Sequence, residues 1–154
     1  MPDALVIRNS QRTRRIDTLL LQRILLEYLN EILTLPSYQI GIHLVSAKKM
    51  ARINMEFLQH EGSTDVITFD HGDTSTAGIV FGEIFISVND AVQQAVDFGT
   101  NWQTELVRYT IHGVLHLQGF DDMSPTARRL MKREENRCLR ILARRFSLEK
   151  IEKR

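Results

Sequence analysis

Thirteen residues in the last third of the chain, Thr110 to Asp122, constrain the fold more than any other stretch. They read Thr-Ile-His-Gly-Val-Leu-His-Leu-Gln-Gly-Phe-Asp-Asp. His112 and His116 are four residues apart on an expected helix, so their imidazoles stack on one face within reach of a single ion. Gly119 can take a left-handed conformation and stop that helix. The chain can then fold back and present Asp122 as a third donor. Asp121 is the rival for that place, and Asp122 is preferred on spacing. Two neutral imidazoles and a carboxylate leave a fourth position open for water, which is the catalytic pattern for zinc. One Zn2+ is therefore the expected cofactor, although iron(II), nickel or manganese would accept the same ligands.

The histidine spacing is that of the metzincin zinc-binding helix with one change. Those peptidases carry a glutamate general base directly after the first histidine. Here that residue is Gly113. A glycine inside a helix costs about 1 kcal/mol relative to alanine, which points to close packing at that position. A metallopeptidase is therefore the weaker alternative.

The rest of the chain supplies a scaffold of matching size. Its 154 residues suit one domain, 1–154. Strands are expected at Ala4–Arg8, Tyr38–Val45, Asp65–Phe69 and Val80–Ile86, the last two close to hairpin distance, with Asp70–Gly78 as a loop. Helices are expected over Ile16–Leu35, Ala47 to about Leu58 with Ser46 as cap, and Val88–Phe98 behind Ser87 and Asp90. A further helix over Asn101–Gln118 follows the Thr100/Gln103 signal. The last starts at Ser124-Pro125, with Ala127, Leu130, Met131, Cys138, Ile141, Leu142 and Phe146 on its buried stripe. The fold class is α+β: one small, mostly parallel four-stranded sheet packed with about five helices, one of them a zincin-like metal helix.

Composition bounds the function classes. With 43% hydrophobic and 25% charged residues the chain reads as globular. Its single cysteine, Cys138, forms no internal disulfide and is expected to be a small buried apolar residue. The leucine-rich run from Arg12 to Leu29 is broken by Asp17, Gln22, Arg23 and Glu27, so it is neither a signal sequence nor a membrane span. A cytoplasmic protein with no membrane partner is the expectation. Charge is lopsided: residues 1–123 carry nine Lys+Arg against fifteen Asp+Glu, and residues 124–154 carry eleven against four. The arginines of the last helix (Arg128, Arg129, Arg133, Arg137, Arg140, Arg144 and Arg145) form either a solvated face or a phosphate-binding one.

At Thr110–Asp122 the chain resembles the YbeY family, bacterial endoribonucleases of ribosomal RNA maturation. The family pattern is His-Gly-x-Leu-His-Leu-x-Gly-Tyr/Phe-Asp-His, matched through Asp121, with Asp122 replacing the final histidine. Two further blocks agree in order and spacing. Ile53-Asn54 and Thr64-Asp65-Val66-Ile67-Thr68-Phe69 are similar to Leu-Asn and Thr-Asp-Val-Leu-Ser-Phe. Gly82-Glu83-Ile84-Phe85-Ile86-Ser87 is similar to Gly-Asp-Ile-x-Ile. The resemblance implies a zinc-dependent, single-strand-specific endoribonuclease acting in rRNA processing, including small-subunit rRNA 3′ end maturation, and in ribosome quality control. Its implied partners are single-stranded RNA and the small ribosomal subunit.

Two departures stand out. Asp122 keeps a ligand but adds negative charge, which makes a bound water less acidic than three neutral histidines would. Leu58-Gln59 stands where the family has arginine and glycine, and that arginine is the natural holder of a phosphate. His60, His71 and Arg108 are candidate substitutes, Arg108 lying one turn before His112. With Gly113 in the peptidase-base position, a proton acceptor must be metal-bound hydroxide, Asp121 or a group from elsewhere. Arg108 and Asp121 are thus the candidate catalytic residues. The missing arginine also admits an alternative, a non-catalytic metal-containing ribosome-assembly factor. Of the remaining polar residues, Asp65 either orients a histidine or marks a strand edge. Ser87 and Asn89 read as capping groups, and Trp102 as packing.

Overall fold

Alternating apolar strands and amphipathic helices bury their faces against a single sheet. The computed structural model describes residues 3–73 and 78–154. In chain order the elements are β1 (Ala4–Asn9), α1 (Thr18–Glu27), β2 (Tyr38–Val45), α2 (Ala47–Leu58), β3 (Val66–Asp70), β4 (Val80–Ser87), α3 (Val88–Phe98), α4 (Trp102–Leu117) and α5 (Pro125–Arg145). The sheet order is β1-β2-β4-β3. β1, β2 and β4 run parallel, and β3 pairs antiparallel with β4 at the edge. Among the described residues, the expected mostly parallel four-stranded sheet with five α-helices is what forms. Of the expected loop Asp70–Gly78, Asp70 closes β3, while residues 74–77 lie outside the described residues.

Period-2 alternation decides which face carries what. Ile40, Ile42, Leu44, Ile84 and Ile86 point into the main core, with Leu21, Ile24 and Leu25 of α1, Ala91 of α3, and Leu106 and Ile111 of α4. The opposite face carries a smaller cluster in which Met50 and Ile53 of α2 pack with Ile67, Phe69 and Phe85. The caps are made as expected at three helices: Ser46, Ser87 and Ser124 accept the N–H groups of Lys49, Asp90 and Ala127. Asn89 accepts the Ala47 N–H at 2.7 Å, so it serves α2 from α3. Trp102 is buried packing.

Three expectations need correction. The first helix does not run from Ile16 to Leu35. α1 ends at Glu27, a π-helical turn covers Tyr28–Ile32, and Ile16 bridges to Glu152 instead. The apolar periodicity continues through the π turn, so spacing alone could not locate the change. The α4 cap is Asn101, which accepts the Thr104 N–H, while Thr100 donates to Glu105. On α5, Leu130 is 55% exposed, and the buried stripe is Met131, Glu135, Cys138, Leu139 and Leu142. The buried glutamate is the informative member of that stripe.

Candidate metal centre

α4 is the element that positions the site. It lies on β4 so closely that Gly113 has no room for a side chain. A Cβ there would sit 2.7 Å from both Cδ1 and Cγ2 of Ile84 and 2.9 Å from its Cγ1. Gly82 makes the matching approach one pair along β4, where a Cβ would meet the Phe69 carbonyl at 2.4 Å and Leu117 at 2.5 Å. The close packing expected at Gly113 is therefore present, and it sets the height of His112 and His116 over the sheet. After Leu117 the chain reverses at Gly119, with φ of +100°, and the Phe120 N–H bonds back to the Leu115 carbonyl. That reversal returns Asp122 to the histidine face.

The three residues converge. One ligand atom from each of His112, His116 and Asp122 lies within 4.8 Å of the others. The two histidine Nε2 atoms are 3.1 Å apart, and Asp122 Oδ2 is 3.9 Å from His116 Nε2. Two ligands of a tetrahedral ion with metal–nitrogen distances of about 2.0–2.1 Å stand about 3.3 Å apart, so the histidine pair is near that spacing already.

The far side of each imidazole settles which nitrogen is free. His112 Nδ1 donates to Glu135 Oε2 at 2.7 Å, and His116 Nδ1 donates to the Phe120 carbonyl at 3.1 Å. With the proton held on Nδ1 in both rings, both Nε2 lone pairs face one point. Two lone pairs at that distance repel unless a cation lies between them. The donor set therefore fits a bound metal ion. Burial disfavours the charged form of His112, yet the Glu135 hydrogen bond and the charges of Glu135, Asp122 and Asp65 outweigh it and raise its pKa above 6.5.

Glu135 is the residue that sequence reasoning missed. Its α5 position, four after Met131 and three before Cys138, puts a carboxylate on an apolar stripe, and that was the available signal. Arg108 stands behind it. Its Nη1 donates to Asn136 Oδ1 at 2.7 Å and lies 3.6 Å from Glu135 Oε1, while its Nε is 3.7 Å from Glu105. The guanidinium is thus engaged with α5 and two carboxylates rather than pointing at the donor cluster. Asp121 is not brought into the cluster either. It is exposed and accepts the Met123 N–H at 3.0 Å, closing the local turn.

The cluster lies on the wall of an open cleft of about 580 Å³. Leu58, His60, Glu61, Asp65 and Asp70 line it, and no lysine or arginine does among the described residues. Asp65 spends its carboxylate on the Val66 N–H and on Gln94, so it orients no histidine. His60 faces the cleft, whereas His71 lies across the sheet with its Nε2 2.8 Å from Glu83. Of the candidate arginine substitutes, only His60 reaches this cleft.

With this geometry in place, known proteins bear on it directly. A family model described as Endoribonuclease YbeY matches residues 6–143. Relatives named Endoribonuclease YbeY include one from Chlorobium phaeovibrioides, 45% identical over 95 residues, which is 62% of each chain. One from Parabacteroides distasonis is 40% identical over 97 residues, 63% of this chain and 66% of the relative. In both, the alignment covers less than two thirds of the relative's own length. One from Elusimicrobium minutum is 35% identical over 103 residues, 66% of this chain and 72% of the relative. A solution structure of a Thermotoga maritima protein shares the fold, with TM-score 0.69 at 22% identity over 98% of this chain and 97% of that one. The match from residue 6 to residue 143 spans most of β1, all of β2, β3 and β4, the whole of α4 and most of α5, and so the chain belongs to the YbeY family.

Proposed function

We propose that this chain is a metal-dependent endoribonuclease that cleaves single-stranded RNA, with one Zn2+ held by His112, His116 and Asp122. Its setting is the cytoplasm, its task ribosomal RNA processing, including the small-subunit 3′ end and ribosome quality control, and its partner the small subunit. The whole of residues 1–154 serves as one functional unit. The observation that carries this reading is the convergence of two tautomer-fixed imidazoles and a carboxylate at the wall of an open cleft, with room for a substrate beside them. The relatives named as endoribonucleases agree with it.

When an ion is bound, it supplies Lewis-acid chemistry: polarising a phosphoryl oxygen, activating water, or both. The chain's own residues prepare that position. Glu135 holds the proton on His112 Nδ1 and fixes the ring plane. Arg108 offsets the charge of Glu135 in a half-buried setting, which makes it a positioning residue. The Phe120 carbonyl does for His116 what Glu135 does for His112. Asp121 accepts the Met123 N–H through Oδ1, which leaves its Oδ2 for proton transfer. The peptidase alternative lacks its base, because Gly113 offers no carboxylate at the position where that mechanism needs one, and close packing on Ile84 accounts for the glycine.

The test is cleavage of end-labelled single-stranded RNA by wild type and His116→Ala with zinc supplied. Metal-dependent cleavage by wild type alone is the expected result. If wild type cuts no more than the variant, the enzyme reading fails. Metal content of Asp122→Ala tests the ligand set: unchanged loading there removes Asp122 from it. One observation favours a second reading. Leu58, 43% exposed at a cleft that no lysine or arginine lines among the described residues, stands where the family resemblance implies an arginine. A protein that loads metal, binds RNA and cuts none of it would be an assembly factor.

A further inference from the structure

The cleft beside the metal centre offers a polyanion no lysine or arginine among the described residues. Glu61, Asp65 and Asp70 line it together with Asp122. The opposite side of the centre has the reverse character. A shallow depression of about 650 Å³ runs along α5 and is lined by Arg128, Arg129, Lys132, Arg133, Asn136 and Arg140. Positions 128, 132, 136 and 140 recur every four residues, and 129 and 133 flank them, so the cations form one stripe. From Arg128 to Arg140 the stripe is about 18 Å long at 1.5 Å per residue.

Three features separate this stripe from an ordinary solvated helix face. First, its cations are not neutralised. Among the described residues no carboxylate lies within 4.0 Å of Arg128, Arg129, Lys132, Arg133 or Arg140, whereas Arg137 and Arg145, elsewhere on the helix, pair with Glu134 and Glu27. Second, the stripe is continuous with the centre. Arg128 and Lys132 also line the hollow that contains His112 and Asp122, and Arg128 Nη1 donates to the Asp122 carbonyl at 3.2 Å. Third, the chain's positive charge is concentrated here, because residues 124–154 carry eleven Lys+Arg against four Asp+Glu while the remainder is net acidic. A cationic track leading to a site walled on its other side by carboxylates favours approach of a polyanion from one direction.

We propose that the α5 stripe Arg128, Arg129, Lys132, Arg133 and Arg140 binds the phosphates of single-stranded RNA and leads the strand to the metal centre. Arg128 marks the end nearest the reacting phosphate, and Arg140 the distal end. The inference rests on the RNA-cleaving reading above and names the surface that compensates for Leu58. Contacts to phosphate without base contacts give binding with little sequence preference and strong salt dependence.

The test compares Arg129→Ala/Arg133→Ala/Arg140→Ala with a charge-matched control on α2, Lys48→Ala/Lys49→Ala/Arg52→Ala. All six residues are exposed, so both triple variants are expected to fold. Anisotropy of a fluorescent single-stranded RNA is titrated at several salt concentrations, and cleavage is followed separately with zinc. Both series are run in the His116→Ala background for binding, so that cleavage does not interfere. Loss of three phosphate contacts is expected to lower the slope of log K against log salt by about 2 and to weaken binding by up to about 100-fold near 0.1 M salt. The α2 control is expected to keep most of the slope. Equal slopes for the α5 variant and its parent overturn the α5 assignment while leaving cleavage by wild type intact. A reduced slope in a protein that cuts no RNA supports the track and removes the nuclease reading. Absence of RNA binding by the parent overturns the α5 assignment, and absence of cleavage by wild type as well overturns both.

Discussion

Replacing Gly113 with alanine sets two effects of known size against each other. In an exposed helix the change would stabilise by about 1 kcal/mol, the propensity gap between the two residues. Here the new methyl lands within 2.7–2.9 Å of three atoms of Ile84, a fully buried side chain on β4. Ile84 is β-branched, so it has little rotamer freedom with which to retreat. Overpacking of a filled core costs about 1–3 kcal/mol, and three simultaneous contacts argue for the upper half. The net expectation is destabilisation by about 1–2 kcal/mol, read as a fall in Tm of roughly 3–6 °C for a domain of this size.

The partner mutation makes the explanation testable. Ile84→Ala alone is expected to cost about 2–5 kcal/mol, because it opens a cavity. In that background Gly113→Ala should change sign and stabilise by about 1 kcal/mol, giving a coupling of about 2–3 kcal/mol between the two positions. Urea unfolding of the four proteins measures the cycle. Because lifting α4 from β4 relieves the clash, the single variant should also bind a metal ion more weakly, as His112 and His116 move away from Glu135 and Asp122. A Gly113→Ala protein more stable than wild type with Ile84 intact would refute the reasoning.

Three further outcomes follow from particular contacts. Glu135→Gln should weaken metal binding by about 10–100-fold, the usual effect of removing a charged group that orients a ligating histidine, while Asp121→Asn leaves loading unchanged in the same competition titration. Hydrogen bonds from His71 and then His43 hold the Glu83 carboxyl below its ordinary pKa of 4.5, so the stability it contributes is present above that value and is lost as pH falls through its lower folded value. Glu83→Gln should therefore unfold more easily than wild type near about pH 6, and the two melting curves should converge in acid; a gap that widens in acid would contradict this. The Cys138 thiol is pushed up to about 11, chiefly by burial and then by the charge of Glu134, so it should resist alkylation at neutral pH until the protein is denatured.

Local chemistry carried much of this protein in its sequence. The strands of the sheet, the serine caps of α2, α3 and α5, and the reversal at Gly119 all follow from side chains and their near neighbours. The convergence of His112, His116 and Asp122 was legible for the same reason, since one helical turn and one tight reversal bring them together without help from the rest of the chain. Gly113 announced a close approach, but its partner Ile84 lies twenty-nine residues away on β4 and was not visible. The same limit applies to Glu135. Its place on the apolar stripe could be read, but its meeting with His112 arises only when α5 packs across α4. Arg108 shows the converse: one turn from His112 it belongs to the right helix, yet Asn136, Glu105 and Glu135 draw its guanidinium away. Periodicity and spacing settle what one element can do, because those contacts close over a few residues. Which long-range partner fixes a histidine's tautomer, and which charges stay unpaired along α5, depends on how separate elements are stacked, and only the tertiary structure decided that.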